Sequence, residues 1–178
     1  MNDRNANQPL ATRVTAGVVA VLFLLVTSTA FAQGTDDSVV FVCEHGSLKS
    51  LIAASLFNRA AADRGLRYRA VSRGVNPEER VPPAIAAALR QDGFDVEGFH
   101  PRGLSRDDFT GAKRVVAIGV ELPAPGAESQ ASIESWSDIP PASVDYVAAR
   151  AALQRHVDAL LDDLKVKEQN PRALLPCC

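Results

Sequence analysis

Blocks of apolar residues with two different periods divide this chain. "SVVFVC", Ser38 to Cys43, is a short continuous apolar run rich in β-branched residues, which predicts a buried strand. "KSLIAASLFNRAAADRG", Lys49 to Gly65, carries Ile52, Leu56 and Ala60 at four-residue steps and ends in glycine, which predicts an amphipathic helix with a glycine stop. A second strand is expected over Arg67–Val75. Val81 to Gly93 reads as a helix, with proline at its start and glycine at its end. Ser105 before two aspartates marks a capped helical turn. "AKRVVAIGV", Ala112 to Val120, is the third strand and Ala131–Trp136 the fourth. A long final helix is expected over Ser143–Lys165, its apolar face made of Val144, Val147, Ala151, Leu153, Val157, Leu160, Leu161 and Leu164. Strands alternating with helices imply an α/β fold with a parallel sheet and helices on both faces. The longest irregular connection is Leu122–Gln130, and residues 166–178 read as a loose tail. No internal repeat is present.

The segment before this pattern changes the picture of where the protein works. Arg4 and Arg13 precede an apolar run, Ala16 to Val26, and Ala30-Phe31-Ala32 places small residues two apart. That is the pattern of a secretory signal peptide over residues 1–32, cleaved after Ala32, and it implies an exported, periplasmic protein. An uncleaved N-terminal membrane anchor is the alternative; the run is short beside the roughly 20 residues that a bilayer crossing needs. Without residues 1–32 the chain carries 17 basic and 20 acidic residues, a net charge of −3. There is no basic excess and no basic cluster with interleaved aromatics, so nucleic acid is not an expected partner. The cysteines are Cys43, Cys177 and Cys178. Three is odd and too few for a disulfide scaffold, and a free thiol in an oxidising compartment invites a functional reading.

The loop between the first strand and the first helix carries the candidate chemistry. Glu44-His45-Gly46-Ser47-Leu48 runs from a strand's carboxyl end to a helix's amino end, where unpaired N–H groups and the helix dipole favour an anion. Gly46 permits a positive φ or a close backbone approach. The same field favours a thiolate at Cys43, Lys49 adds a positive charge for an oxyanion, and Ser50 can donate a hydrogen bond to the sulfur. A buried, inert cysteine at a strand end is the plain structural alternative. "GSLKS" ends like a nucleotide-binding P-loop, but it lacks glycine directly before the lysine and the first glycine of that motif. Cys43, Glu44, His45, His100 and His156 follow no familiar zinc spacing, so no metal is expected, and no cofactor.

These residues and the segments after them resemble the low-molecular-weight protein tyrosine phosphatases and the arsenate reductases that share their fold. "VVFVCEHGSLKS" is similar to that family's signature of Cys, five residues, Arg, then Ser or Thr. The likeness continues through "YRAVSRGVNPEERVPPAIAAALRQDGFDVEGFHPRGLSRDDF" and "RVVAIGV" to "WSDIPP", spanning roughly Ser38 to Leu164 within an expected domain of residues 38–165. The resemblance implies a four-stranded parallel sheet flanked by helices. It implies that Cys43 attacks phosphorus to form a phosphocysteine, that Glu44, His45, Gly46, Ser47 and Leu48 cradle the phosphate, and that Ser50 supports the thiolate. The partner it implies is a phosphorylated substrate or another tetrahedral oxyanion.

Two positions depart from the family pattern. Lys49 stands where the family has arginine, so a flexible point charge replaces a rigid fork of donors. The family's Asp-Pro acid loop reads Trp136-Ser137-Asp138-Ile139-Pro140-Pro141 here, with proline at the acid's place. Asp138 is then the candidate acid, or else a turn aspartate, and Asp145 complements the dipole of the last helix. Three functions stay open: a cysteine-dependent phosphatase for aryl phosphates or phosphotyrosine, a thiol-dependent arsenate reductase drawing on Cys177 and Cys178 or an external thiol, and a non-catalytic oxyanion-binding domain.

Overall fold

The computed structural model describes residues 37–169; the expected leader over residues 1–32 and the thiols Cys177 and Cys178 lie outside them. The elements in chain order are β1 (Ser38–Cys43), α1 (Lys49–Asp63), β2 (Arg69–Gly74), α2 (Pro83–Gln91), α3 (Arg106–Thr110), β3 (Ala112–Ile118), β4 (Ser132–Trp136) and α4 (Tyr146–Gln169). The four strands form one sheet in the order β2-β1-β3-β4. Every pairing is parallel. β1 is therefore central, and its carboxyl end, with Cys43 opposite Gly74 of β2, opens at the crevice where α/β sheets bind ligands.

Parallel strands covered on both faces must be apolar on both, and β1 is: Val39, Val40, Phe41 and Val42 are all buried. Val39 and Phe41 enter the larger core with Leu51, Ile52 and Phe57 of α1 and Leu153, Val157, Leu160 and Leu161 of α4. Val40 and Val42 point the other way, into a smaller cluster with Phe109 of α3 and Val115 of β3. Phe41, Phe57 and Trp136 stack edge-on and tilted beneath the sheet's carboxyl end, with centroids 5.7 and 5.4 Å apart.

The helices start and stop where local chemistry requires. α1 ends before Gly65, whose φ of +66° lets the chain leave the helix. Ser105 and Asp108 form a capping box at α3. Burial opposes the charge on Asp108, but hydrogen bonds from Arg73 and from Ser105 outweigh it and hold the carboxyl below its ordinary range. The final helix differs from expectation at both ends. It begins at Tyr146, because the Asp145 carboxylate accepts the Ala148 N–H and so caps the helix there. Val144 consequently lies ahead of the helix, and Val144, Val147 and Ala151 are exposed rather than part of the buried face. Its other end runs on to Gln169, through residues expected in the loose tail. Tyr146 donates to Asp92 at 2.6 Å, and burial together with that carboxylate pushes its hydroxyl well above the ordinary tyrosine value. No helix among the described residues is long and apolar enough to cross a membrane.

Candidate active site

The turn from β1 to α1 is shaped by where its carbonyls go. Val75 N–H donates to the Cys43 carbonyl (3.1 Å), Asn76 N–H to that of Glu44 (2.8 Å), and Glu78 N–H to that of His45 (3.1 Å). The Ser72 hydroxyl lies 2.8 Å from the Gly46 carbonyl, and Ile52 N–H donates to that of Leu48. The segment after β2 thus turns the loop's carbonyls outward, one after another. Among the described residues, no N–H from Glu44 to Ser50 has a protein acceptor, and α1 starts without a side-chain cap. A run of amides left without partners at a helix start is an anion cradle.

Two glycines make that close approach possible. Gly46 has φ +68°, and a Cβ there would lie 2.8 Å from the Gly74 nitrogen; a Cβ at Gly74 would lie 2.8 Å from the Gly46 nitrogen. Neither position accepts a side chain without moving backbone.

Cys43 is buried, with its Sγ 3.0 Å from the Ser50 hydroxyl, and the Ser50 hydroxyl is 2.8 Å from that of Ser72. The buried polar side chains of the described residues are Ser47, Ser50 and Ser72, all in this turn or beside it. A proton inventory shows what the chain of hydroxyls does. With Cys43 as a thiol, three hydrogens serve three contacts: sulfur to Ser50, Ser50 to Ser72, and Ser72 to the Gly46 carbonyl. As a thiolate there are two, and Ser50 donates to sulfur while Ser72 donates to Ser50. The relay reverses to follow the charge on sulfur. Ser72 is not among the sequence candidates; its trace in the chain is one hydroxyl residue on the strand face that also carries Ala70 and Gly74.

Lys49 closes the cleft from the side of β3. A Cβ on Gly119, just past β3, would lie 2.6 Å from its Nζ, so the ammonium rests against the bare glycine backbone. Cys43, Glu44, His45, Leu48, Lys49, Gly119, Pro141, Ala142 and Ser143 enclose a cleft of about 190 Å³. The structure therefore brings together Cys43, Glu44, His45, Gly46, Ser47, Leu48, Lys49 and Ser50. Ser47 sits at the back of the turn, its hydroxyl on the Glu78 carboxylate.

Asp138 is not among the cleft's lining residues. Trp136 is buried with its indole stacked on His156 (centroids 4.7 Å apart), and His156 Nε2 holds the Asp138 carboxylate at 2.8 Å. That hydrogen bond is the main reason its carboxyl lies below the ordinary range. Asp145 caps α4 and also stays outside the lining. A larger cleft of about 510 Å³ runs along the outer side of β2 past Asn58, Phe99, His100 and Arg102; it contains neither Cys43 nor Lys49. Among the described residues no three His, Cys, Asp or Glu side chains gather to hold a metal ion.

The fold has counterparts among known proteins. The sequence model of the family described as low molecular weight phosphotyrosine protein phosphatase matches residues 38–124. No curated protein matches the chain. Among solved structures, the fold is shared with YfkJ from Bacillus subtilis, at 19% identity and a TM-score of 0.63, covering 76% of this chain and 98% of that one. A low molecular weight protein tyrosine phosphatase from T. tengcongensis is similar at 23% identity and TM-score 0.59, over 71% of this chain and 98% of that one. An arsenate reductase from Archaeoglobus fulgidus is similar at 27% identity and TM-score 0.54, over 70% and 98%.

Proposed function

We propose that this chain, which belongs to the low-molecular-weight phosphotyrosine phosphatase and arsenate reductase superfamily, is a cysteine-dependent phosphatase working through a phosphocysteine. The observation that carries the reading is the run of partnerless amides from Glu44 to Ser50 wrapped round the Cys43 thiol. The substrate's nonbridging oxygens sit on those N–H groups. Lys49 supplies a positive charge at the rim beside Gly119. The Cys43 thiolate, held by Ser50 through Ser72, attacks phosphorus in line, and the bond to the leaving oxygen breaks. Water then attacks the phosphocysteine, and the sulfur leaves as the thiolate that Ser50 receives.

The arsenate reductase alternative draws on a second thiol to relieve the sulfur after its attack. Cys43 is the free cysteine of the described residues, and a phosphatase cycle uses no other. Export across the inner membrane is part of the proposal, resting on the charge and apolar pattern of residues 1–32. Mass measurement of protein recovered from the periplasm is expected to give a chain starting at Gln33.

Purified protein is to be given 4-nitrophenyl phosphate alongside Cys43→Ser. The expected result is turnover in the native protein, a fall to background in the variant, and an acid-trapped phosphoryl group on Cys43. Phosphate binding without turnover would reduce the protein to an oxyanion-binding domain. Arsenate-dependent oxidation of Cys43 with no phosphatase activity would favour the reductase.

A further inference from the structure

Asp138 and Asp145 are both engaged elsewhere, so the question is which group gives the leaving oxygen its proton. The wall of the cleft facing the loop is Pro141, Ala142 and Ser143, which offers no carboxyl. The titratable residues that line the cleft are Cys43, Glu44, His45 and Lys49. Cys43 is the nucleophile, and Lys49 meets the anion's charge. Two remain.

Asn76, just past β2, separates them. Its N–H binds the Glu44 carbonyl at 2.8 Å, and its side-chain amide donates to Glu44 Oε1 at 2.6 Å. The other carboxyl oxygen of Glu44 has no hydrogen-bond partner among the described residues. His45 Nδ1 lies 3.4 Å from the Asn76 carbonyl. The imidazole is thus held by one long contact, whereas the Asn76 amide fixes the Glu44 carboxyl at 2.6 Å. A carboxyl anchored by one oxygen, next to the nucleophile in sequence, is the better-built donor.

We propose that Glu44 is the proton donor to the leaving group and that Asn76 is the residue that positions it. The proposal rests on the phosphocysteine reading above. As the Cys43–phosphorus bond forms, the phosphorus–oxygen bond breaks. Its electron pair passes to the leaving oxygen, which takes the proton of the Glu44 carboxylic acid. In the second half, water attacks phosphorus and gives a proton to the Glu44 carboxylate. The phosphorus–sulfur bond breaks, its electrons return to sulfur, and Glu44 is again an acid. No further reactant is needed. The acid thus sits on the nucleophile's own loop rather than on the facing wall.

Leaving groups distinguish this from a structural role. Phenolate from phenyl phosphate needs the proton; 2,4-dinitrophenolate does not. Glu44→Gln keeps the oxygen that Asn76 holds, so it is the isosteric variant to use. It is expected to slow phenyl phosphate about 100-fold and the dinitrophenyl ester by less than about threefold. Near-native turnover of the second ester also reports a folded variant with a competent thiol. Asn76→Ala is expected to give a smaller loss, about tenfold, with the same selectivity. Equal losses on both esters in Glu44→Gln, or none on phenyl phosphate, would overturn the assignment while leaving the Cys43 reading intact. So would a selective loss in His45→Gln or Asp138→Asn. Absence of Cys43-dependent turnover on either ester in the native protein would overturn both.

Discussion

One wall of the Cys43 cleft is fastened by a neighbouring strand; the wall facing it is fastened mostly to itself. Along the loop, the carbonyls of Cys43, Glu44, His45 and Gly46 are each held from β2 or the residues after it. Across the cleft, the N–H groups of Val144 and Asp145 donate back to the Pro141 carbonyl, and Asp145 accepts from the start of α4 that follows it. The first wall has three fully or nearly buried serines behind it. The second has a proline pair and exposed Val144. The difference teaches that gripping a tetrahedral anion and protonating a leaving group are separable tasks. The grip needs many amides held at once, so it depends on a rigid strand alongside. Proton transfer needs one carboxyl within reach, which any element at the rim can supply.

The comparison is broken most severely at the glycine pair. Gly74→Ala would push a Cβ against the Gly46 nitrogen and the His45 carbonyl group. Since the neighbours are backbone, relief requires moving the loop. An activity loss of about 100-fold and destabilisation by about 2–3 kcal/mol are expected, read from kcat/KM and denaturant titration.

Ser72→Ala comes next, because it leaves the Gly46 carbonyl and the Ser50 hydroxyl each short of a partner in a buried place. It is expected to cost about 1–3 kcal/mol of stability and to lower kcat about tenfold. A matching change on the other wall, Val144→Ser, is expected to alter neither by a measurable amount.

How much of this is legible in the chain divides along the same line. The apolar run of β1, the glycine stop of α1 and the βα alternation are local patterns, and they yield the sheet and the place of Cys43, Lys49 and Ser50. The contacts that hold the loop are not local. Ser72, Gly74 and Asn76 lie about thirty residues on, and they matter through parallel pairing that no periodicity encodes. Gly119 reads as a loop glycine until the Lys49 ammonium is found against it. Asp138 looks available in the chain because sequence distance cannot show the His156 imidazole that captures it. The start of α4 is ambiguous there because Ser143 and Asp145 are both good caps, and the Asp145 carboxylate is the one that reaches an N–H.

A smaller effect sharpens the role of Lys49. Gly119→Ala places a methyl where its ammonium rests. The lysine is flexible and can move, so the expected loss in kcat/KM is about tenfold, with a modest stability loss of about 1 kcal/mol from the positive φ. In a double-mutant cycle, Lys49→Ala should cost much less activity in the Gly119→Ala background than in the native one.

The least effect on activity is expected at the tether below the site. Arg73 holds Asp108 at 2.9 Å, fixing α3 beside β2. A carboxyl held below its ordinary value stabilises the fold fully above the unfolded value near 3.8 and loses that contribution as pH falls through the folded value. Asp108→Asn is therefore expected to destabilise the protein by about 1–2 kcal/mol at neutral pH. The gap from the native protein should close as pH drops below 3.8, which thermal melts across pH would follow.

The central claim is that the partnerless amides of the β1–α1 turn take up a tetrahedral oxyanion over Cys43, and amide NMR during titration with inorganic phosphate tests it most directly. The account predicts saturable shifts concentrated in the N–H groups of Glu44 to Ser50, absent in Gly74→Ala. Saturation that leaves those amides unmoved, or shifts gathered instead along the outer side of β2, would contradict it.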